Sequence, residues 1–325
     1  MVRSMRSARW LPTALVVMGV LAACGPDGRL PASDLAGSDA PTTSGAPADS
    51  GPLEVSADTV TGSSAPATDG TTVSASVPEP APAIEAVAVA AGCVPISVPT
   101  GSSQIIGERC DPEPLFPSPR PAALVLTGCG GYAADAEIGV RIAAALAREG
   151  IVAIRIDYLG AAPTPPSCDV SPADLSETAA PILQAVADTA ALLRLDPGIQ
   201  ADSIGAVGYS LGALTVMSAV FGGAGLAPIE PVPLSAVALL SYPNWVPDVP
   251  TALAAGFGPP LYVLSGDDDD VTPPADSTAL VESALAGGVA VEQLLVAGQG
   301  HLWAGTTASL AAGLLADELG DRLAG

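Results

Sequence analysis

The segment SIGAVGYSLGALTVMSAV, residues 203–220, runs from apolar residues through Gly208-Tyr209-Ser210-Leu211-Gly212 into small and apolar residues. A serine flanked by glycines at this spacing can sit on a sharp strand-to-helix turn, its hydroxyl clear of the backbone and free to attack a carbonyl carbon. In a chain rich in Gly and Ser the pentapeptide alone carries little weight; its surroundings decide. A hydroxyl needs a base to take its proton, and the chain holds one histidine, His301, in AGQGHLWAG. Between the two lies SGDDDDVTPP, with Asp267, Asp268, Asp269 and Asp270 in a row. One carboxylate there could orient the imidazole and stabilise its charged form. A solvated acidic turn is the plainer reading of that run, and a calcium site the weaker one, because the spacing is not that of an EF-hand loop. Serine, acid and histidine in this chain order form a complete nucleophile, orienter and general base.

The surrounding periodicity supplies the frame. Short apolar runs at 122–127, 151–157, 204–209, 234–242, 260–266 and 289–296 read as strands, and helical spacing occupies 136–149, 172–195 (broken at Pro181), 210 onward, 274–286 and 306–323. Strands alternating with helices predict an α/β domain: a mostly parallel sheet with helices on both faces, its strands continuously apolar because both faces are covered. Ligand chemistry in such sheets gathers at the carboxyl ends of the strands. That edge receives the loops 128–132, 158–171, 267–273 and 298–303, and Ser210 opens a helix directly after a strand. Tyr132, Tyr158, Trp245 and Trp303 fall in or near edge loops of an aromatic-poor chain, either to line a pocket or to pack at loop bases.

Taken together, these segments resemble the dienelactone hydrolase-like branch of the α/β-hydrolase superfamily over most of 120–320. That branch carries an acid turn of the form G-x-x-D-x-x-x-P. Gly266 and Pro273 frame it here so that Asp269 falls on the acid. AALVLTGCGGYAAD is similar to its H-G-C-G-G oxyanion segment, with Thr127 where His is usual. LDPGIQADSIGAVGYSLGA is similar to its approach to the nucleophile, with Ser203 where Arg is usual and Ala213 for the last Gly. The resemblance implies an α/β-hydrolase fold and an oxyanion hole made by the backbone N–H of Leu211 and of Cys129, with Gly130 as the neighbouring candidate. It implies a carboxylic ester, lactone or thioester as substrate and no cofactor or metal. The founding members use a cysteine nucleophile where this chain has Ser210, so lactone hydrolysis itself does not carry over. A cutinase- or lipase-type polyesterase, an acyltransferase, and an idle envelope-binding scaffold are the alternatives.

The start of the chain concerns location. Arg3, Arg6 and Arg9 precede an apolar run from Leu11 to Ala23, too short to span a bilayer, and LAAC ends it. Residues 1–23 read as a signal peptide, and the LAAC end resembles the lipobox of bacterial lipoproteins, which implies a lipidated Cys24; an ordinary secretory signal is the alternative. Either places the mature protein outside the cytoplasm, and the lipid would make the membrane a partner. Residues 24–92 are Pro, Ala, Ser, Thr, Gly and Asp with almost no aromatics, the composition of a disordered tether or wall-crossing stalk. Residues 93–325 are long enough for one large domain.

With no lysine and a formal charge of −23, the chain has no basic patch to neutralise phosphates, which argues against nucleic acid. Four cysteines remain besides Cys24, an even number in an oxidising compartment. Cys93 and Cys110 bracket a potential hairpin and are expected to pair. Cys129 and Cys168 follow strands and could form a bridge or remain two buried thiols.

Overall fold

A computed structural model describes residues 92–101, 103–169 and 171–324. The signal-peptide, Cys24 and tether readings fall outside the described residues. Cys93–Thr100 (β1) and Ser103–Cys110 (β2) form an antiparallel hairpin whose register sets Cys93 opposite Cys110, and the two are disulfide-bonded. The remaining strands are Arg120–Leu126 (β3), Val152–Ile156 (β4), Ile199–Tyr209 (β5), Val237–Leu240 (β6), Leu261–Gly266 (β7) and Val291–Val296 (β8). The sheet order is β1-β2-β4-β3-β5-β6-β7-β8, and β3 to β8 run parallel. The chain leaves β3 for β4 on one side and returns to β5 on the other. The carboxyl ends of β3 and β5 therefore form the switch point at which a parallel sheet opens a crevice.

Helices cover both faces. Alternate residues of β3 point opposite ways, as strand geometry requires. Leu124 and Leu126 pack with Pro172–Leu195 (α3), Leu211–Val220 (α4), Asp248–Ala254 (α5) and Pro274–Ala286 (α6). Ala123 and Val125 pack with Ala136–Arg148 (α2) and Gly305–Ala324 (α7). The central strands β3 to β7 are buried through most of their length, which matches their unbroken apolar runs. Strand β8, at the sheet edge, instead alternates between half-buried and exposed positions.

Local departures from the sequence reading have physical causes. Helix α3 passes through Pro181 without a break. The ring removes one bond to the carbonyl of Glu177, an exposed position where water can take its place. Ser171 starts that helix, its hydroxyl accepting the amide of Asp174 at 3.2 Å. Strand β5 begins at Ile199, five residues before the apolar run at 204, because Ile199 already pairs with Arg120; the register then shifts past the exposed Gln200 to Asp202 and resumes at Ile204 opposite Ala122. The short helix α5 has too little periodic sequence to be read as one.

The hairpin is also linked to the segment after β3. Arg155 on β4 and Glu108 on β2 form an ion pair at 2.8 Å with both side chains wholly buried. The guanidinium lies 3.8 Å from the Tyr132 ring centre and donates to the Tyr132 carbonyl at 2.7 Å. It thus holds Gly131–Ala134 (α1), which follows the loop at the end of β3. Removing one partner leaves the other charge buried alone. Arg155→Ala is expected to cost about 3–5 kcal/mol in denaturant unfolding, and Glu108→Gln with Arg155→Met together less than the two single changes summed.

Candidate active site

The geometry around Ser210 follows from close backbone packing. An added Cβ on Gly212 would lie 2.3 Å from the Leu126 carbonyl oxygen, and one on Gly208 would lie 2.5 Å from the Ala213 Cα. Both glycines of the pentapeptide are therefore needed for β5, the turn and α4 to fit against the end of β3. Ser210 is left with φ 52° and ψ −120°, a strained conformation for a non-glycine residue. Its own amide donates to the Leu240 carbonyl at 2.9 Å, which fixes the turn to β6.

The loops after β7 and β8 meet this turn. His301 Nε2 lies 3.1 Å from Ser210 Oγ, and His301 Nδ1 lies 3.0 Å from Asp269 Oδ2. With the Nδ1 proton directed at the carboxylate, Nε2 remains the acceptor for the serine hydroxyl. Of the four consecutive aspartates only Asp269 is buried; Asp267, Asp268 and Asp270 are exposed. Its Oδ1 accepts the amides of Val271 and Thr272, and its Oδ2 accepts the Thr272 hydroxyl at 2.8 Å. Burial works to raise the Asp269 pKa. The Thr272 amide and hydroxyl together with His301 outweigh it and hold the carboxyl below its ordinary range. The carboxylate is therefore ionised at neutral pH, and its stabilising contribution is lost only as pH falls below about 4 toward the depressed value.

Three residues that the sequence did not single out hold this arrangement. Tyr209 stacks on the imidazole with ring centres 5.5 Å apart, and its hydroxyl donates to the His301 carbonyl at 3.0 Å. Gln299, buried, donates to the carbonyls of Gly300 and Leu302 and so shapes the histidine loop. Asp135 lies beside the loop after β3, next to Gly128 and Gly130. Tyr209 and Gln299 each lay within a quoted segment, one residue before Ser210 and two before His301; Asp135 closed the GCGGYAAD run without a partner to mark it.

A cavity of about 270 Å³ opens over the serine, bordered by Cys129, Asp135, Leu211, Trp245, Val271 and Leu302 among others. Among the described residues, the backbone amides of Leu211 and Cys129 donate to no carbonyl or side chain. The Gly130 amide likewise makes no hydrogen bond among the described residues, so both loop candidates are free to donate. Cys129 and Cys168 are joined in a disulfide, which ties the loop after β3 to the long 158–171 loop at the cavity wall.

The aromatics divide. Trp245 borders the cavity, whereas Trp303 is buried and donates its indole N–H to Ser241 at 3.2 Å. Tyr158 is wholly buried with its hydroxyl on the Thr127 carbonyl at 2.6 Å, and Tyr132 packs under Arg155. The Cys93, Cys110 and Glu108 atoms lie close enough to hold a metal, but the two thiols are consumed by their disulfide and Glu108 by Arg155.

No family model and no curated protein sequence matches this chain. Solved structures do. Esterase 2 of Thermogutta terrifontis, in a form phosphoramylated by tabun, is 20% identical with a TM-score of 0.54, over 70% of this chain and 94% of that one. A putative dienelactone hydrolase from Klebsiella pneumoniae is 16% identical with a TM-score of 0.51, over 67% and 95%. The esterase domain of a Rhodothermus marinus protein is 13% identical with a TM-score of 0.52, over 70% and 98%. The chain has the α/β-hydrolase fold. Within that fold, the strained serine at the β5–α4 turn makes a specific prediction. Ser210→Gly should stabilise the protein by about 1–2 kcal/mol in denaturant unfolding by relieving the positive φ, while Ser210→Ala, which keeps a Cβ, should not.

Proposed function

We propose that this protein is a serine hydrolase of carboxylic esters that acts outside the cytoplasm, anchored to the membrane by a lipid on Cys24. The observation that carries the enzymatic part is the unbroken hydrogen-bonded line from Ser210 through His301 to a buried Asp269. Ser210 Oγ attacks the ester carbonyl as His301 takes its proton, and the imidazolium is stabilised by Asp269. Negative charge on the carbonyl oxygen falls to the free amides of Leu211 and Cys129, donors typically worth about 3–4 kcal/mol each. His301 returns the proton to the leaving alcohol, and the acyl group stays on Ser210. A water activated by His301 then releases the acid.

The solved structures with this fold support the ester reading, since those quoted above are described as esterases and a putative dienelactone hydrolase. Lactones and thioesters present the same acyl carbon to the same machinery. An idle scaffold is the less economical reading, because the nucleophile, base and acid are all retained at bonding distance. The anchored, extracytoplasmic part rests on the basic n-region, the apolar run and LAAC at residues 1–24.

A fluorophosphonate probe is expected to label the wild type on Ser210 and to leave Ser210→Ala unlabelled. Initial rates on 4-nitrophenyl esters should show kcat reduced about 10⁶-fold in His301→Ala and about 10⁴-fold in Asp269→Asn. A folded wild type that takes no label and turns over no ester would remove the enzymatic reading. Anchoring has its own check: in a bacterial host, wild-type protein should partition into the membrane fraction and Cys24→Ala should appear in the soluble extracytoplasmic fraction.

A further inference from the structure

Asp135 has no part in the triad, yet it borders the same cavity as Ser210 and His301. It occupies the N-cap position of α2, where an aspartate ordinarily turns its carboxyl back onto the helix amides. Here it makes no such bond. The carboxyl turns toward the loop after β3 instead, where a Cβ on Gly128 would lie 3.0 Å from Oδ2 and one on Gly130 would lie 2.7 Å from Oδ1. The same added Cβ on Gly128 would lie 3.2 Å from the Ser210 Cβ, so one glycine separates this carboxyl from the nucleophile. Its Oδ2 is buried without a hydrogen-bond partner among the described residues. Capping does not explain this carboxyl, and among the described residues it pairs with no lysine or arginine.

The charges around it are few. His301 faces it across the cavity, Asp269 lies buried behind His301, and among the described residues no arginine borders the space in a chain that has no lysine. The rest of the wall and rim is uncharged and mostly apolar, with Leu211, Trp245 and the exposed side chains of Val271 and Leu302; the hydroxyls of Tyr209 and Thr272 are engaged by the His301 carbonyl and Asp269. A space of about 270 Å³ is only about 8 Å across. Any charge placed in it lies close enough to Asp135 for the pair to alter binding more than tenfold at an effective dielectric near 20.

Given the ester-hydrolase reading on which it rests, we infer that Asp135 is the specificity-determining residue of this site. It admits esters whose acyl and alcohol parts are uncharged and apolar, and turns away those that carry a carboxylate. Burial raises the Asp135 pKa, against smaller opposing effects of the Gly130 and Gly128 amides and of His301. An apolar acyl group covers the carboxyl further and favours its neutral form, so an uncharged substrate meets little opposing charge. A carboxylate is repelled by the ionised form and finds no counter-ion beside the neutral one.

The test compares two substrates that differ in one charge: the 4-nitrophenyl monoester of succinic acid and its methyl diester, each corrected for spontaneous hydrolysis. In the wild type kcat/KM should favour the diester by on the order of tenfold or more. Asp135→Asn should shrink that ratio about fivefold or more, mainly by faster turnover of the monoester. The shift should persist in about 1 M NaCl, where the field of the distant acidic surface is screened and a charge inside the cavity is not. A purely structural role for Asp135 would slow both substrates and leave the ratio where it was, and that result overturns the inference. Should Asp135→Asn fail to fold, the wild type alone decides. Phenylboronic acid should inhibit at least about tenfold more tightly than 4-carboxyphenylboronic acid, and equal inhibition overturns the proposal. A wild type that resists a fluorophosphonate and hydrolyses neither ester contradicts the hydrolase reading itself, a different failure.

Discussion

The close approach of the β5–α4 turn to the end of β3 is the constraint from which the site follows. With only a hydrogen at positions 208 and 212, the first turn of α4 can settle against the carbonyls of Leu126 and Thr127. That contact forces Ser210 into a positive φ and aims its hydroxyl out of the sheet edge. It also brings the amide of Leu211 and the loop carrying Cys129 to one cavity, which is why two donors can converge on one developing oxyanion. A methyl group at either glycine would separate these parts. The strain at Ser210 is held by packing, since α4 is buried through nearly all its length.

Around this turn the remaining parts are held by polar contacts at loop bases. Asp269 is fixed by amides and a hydroxyl from its own turn before it meets His301. The histidine loop is tied to that turn by the Asp268 amide on the Gln299 carbonyl and the Gly298 amide on Asp267. The loop after β3 is tied two ways: the Cys129–Cys168 disulfide and the Arg155 guanidinium on the Tyr132 carbonyl. Preorganisation of this kind matters because donors already in place need not reorganise as charge develops.

Much of this was legible in the sequence, for reasons that differ by residue. Buried parallel strands write unbroken apolar runs, and helices write a 3.6-residue period, so the alternation and the sheet edge could be read directly. Ser210 and His301 stood out because a tight turn demands glycines and because the histidine has no rival. Among four adjacent aspartates local sequence could not separate the buried one; the family spacing selected Asp269, and its burial distinguishes it in three dimensions. Asp135 stayed hidden, since its role depends on a fold-back toward Gly128 and Gly130 that no periodicity encodes. The passage of α3 through Pro181 was hidden as well, because burial of the rest of that helix outweighs one lost hydrogen bond.

The central claim is that these parts make Ser210 a nucleophile that carries the acyl group between two steps. Trapping that intermediate tests it most directly: acid quenching during turnover of 4-nitrophenyl butyrate, followed by peptide mapping in a mass spectrometer. The account predicts a butyryl group on Ser210 that appears while substrate lasts and disappears as it is exhausted. Steady turnover with no acyl group on Ser210, or with one on another residue, would contradict it.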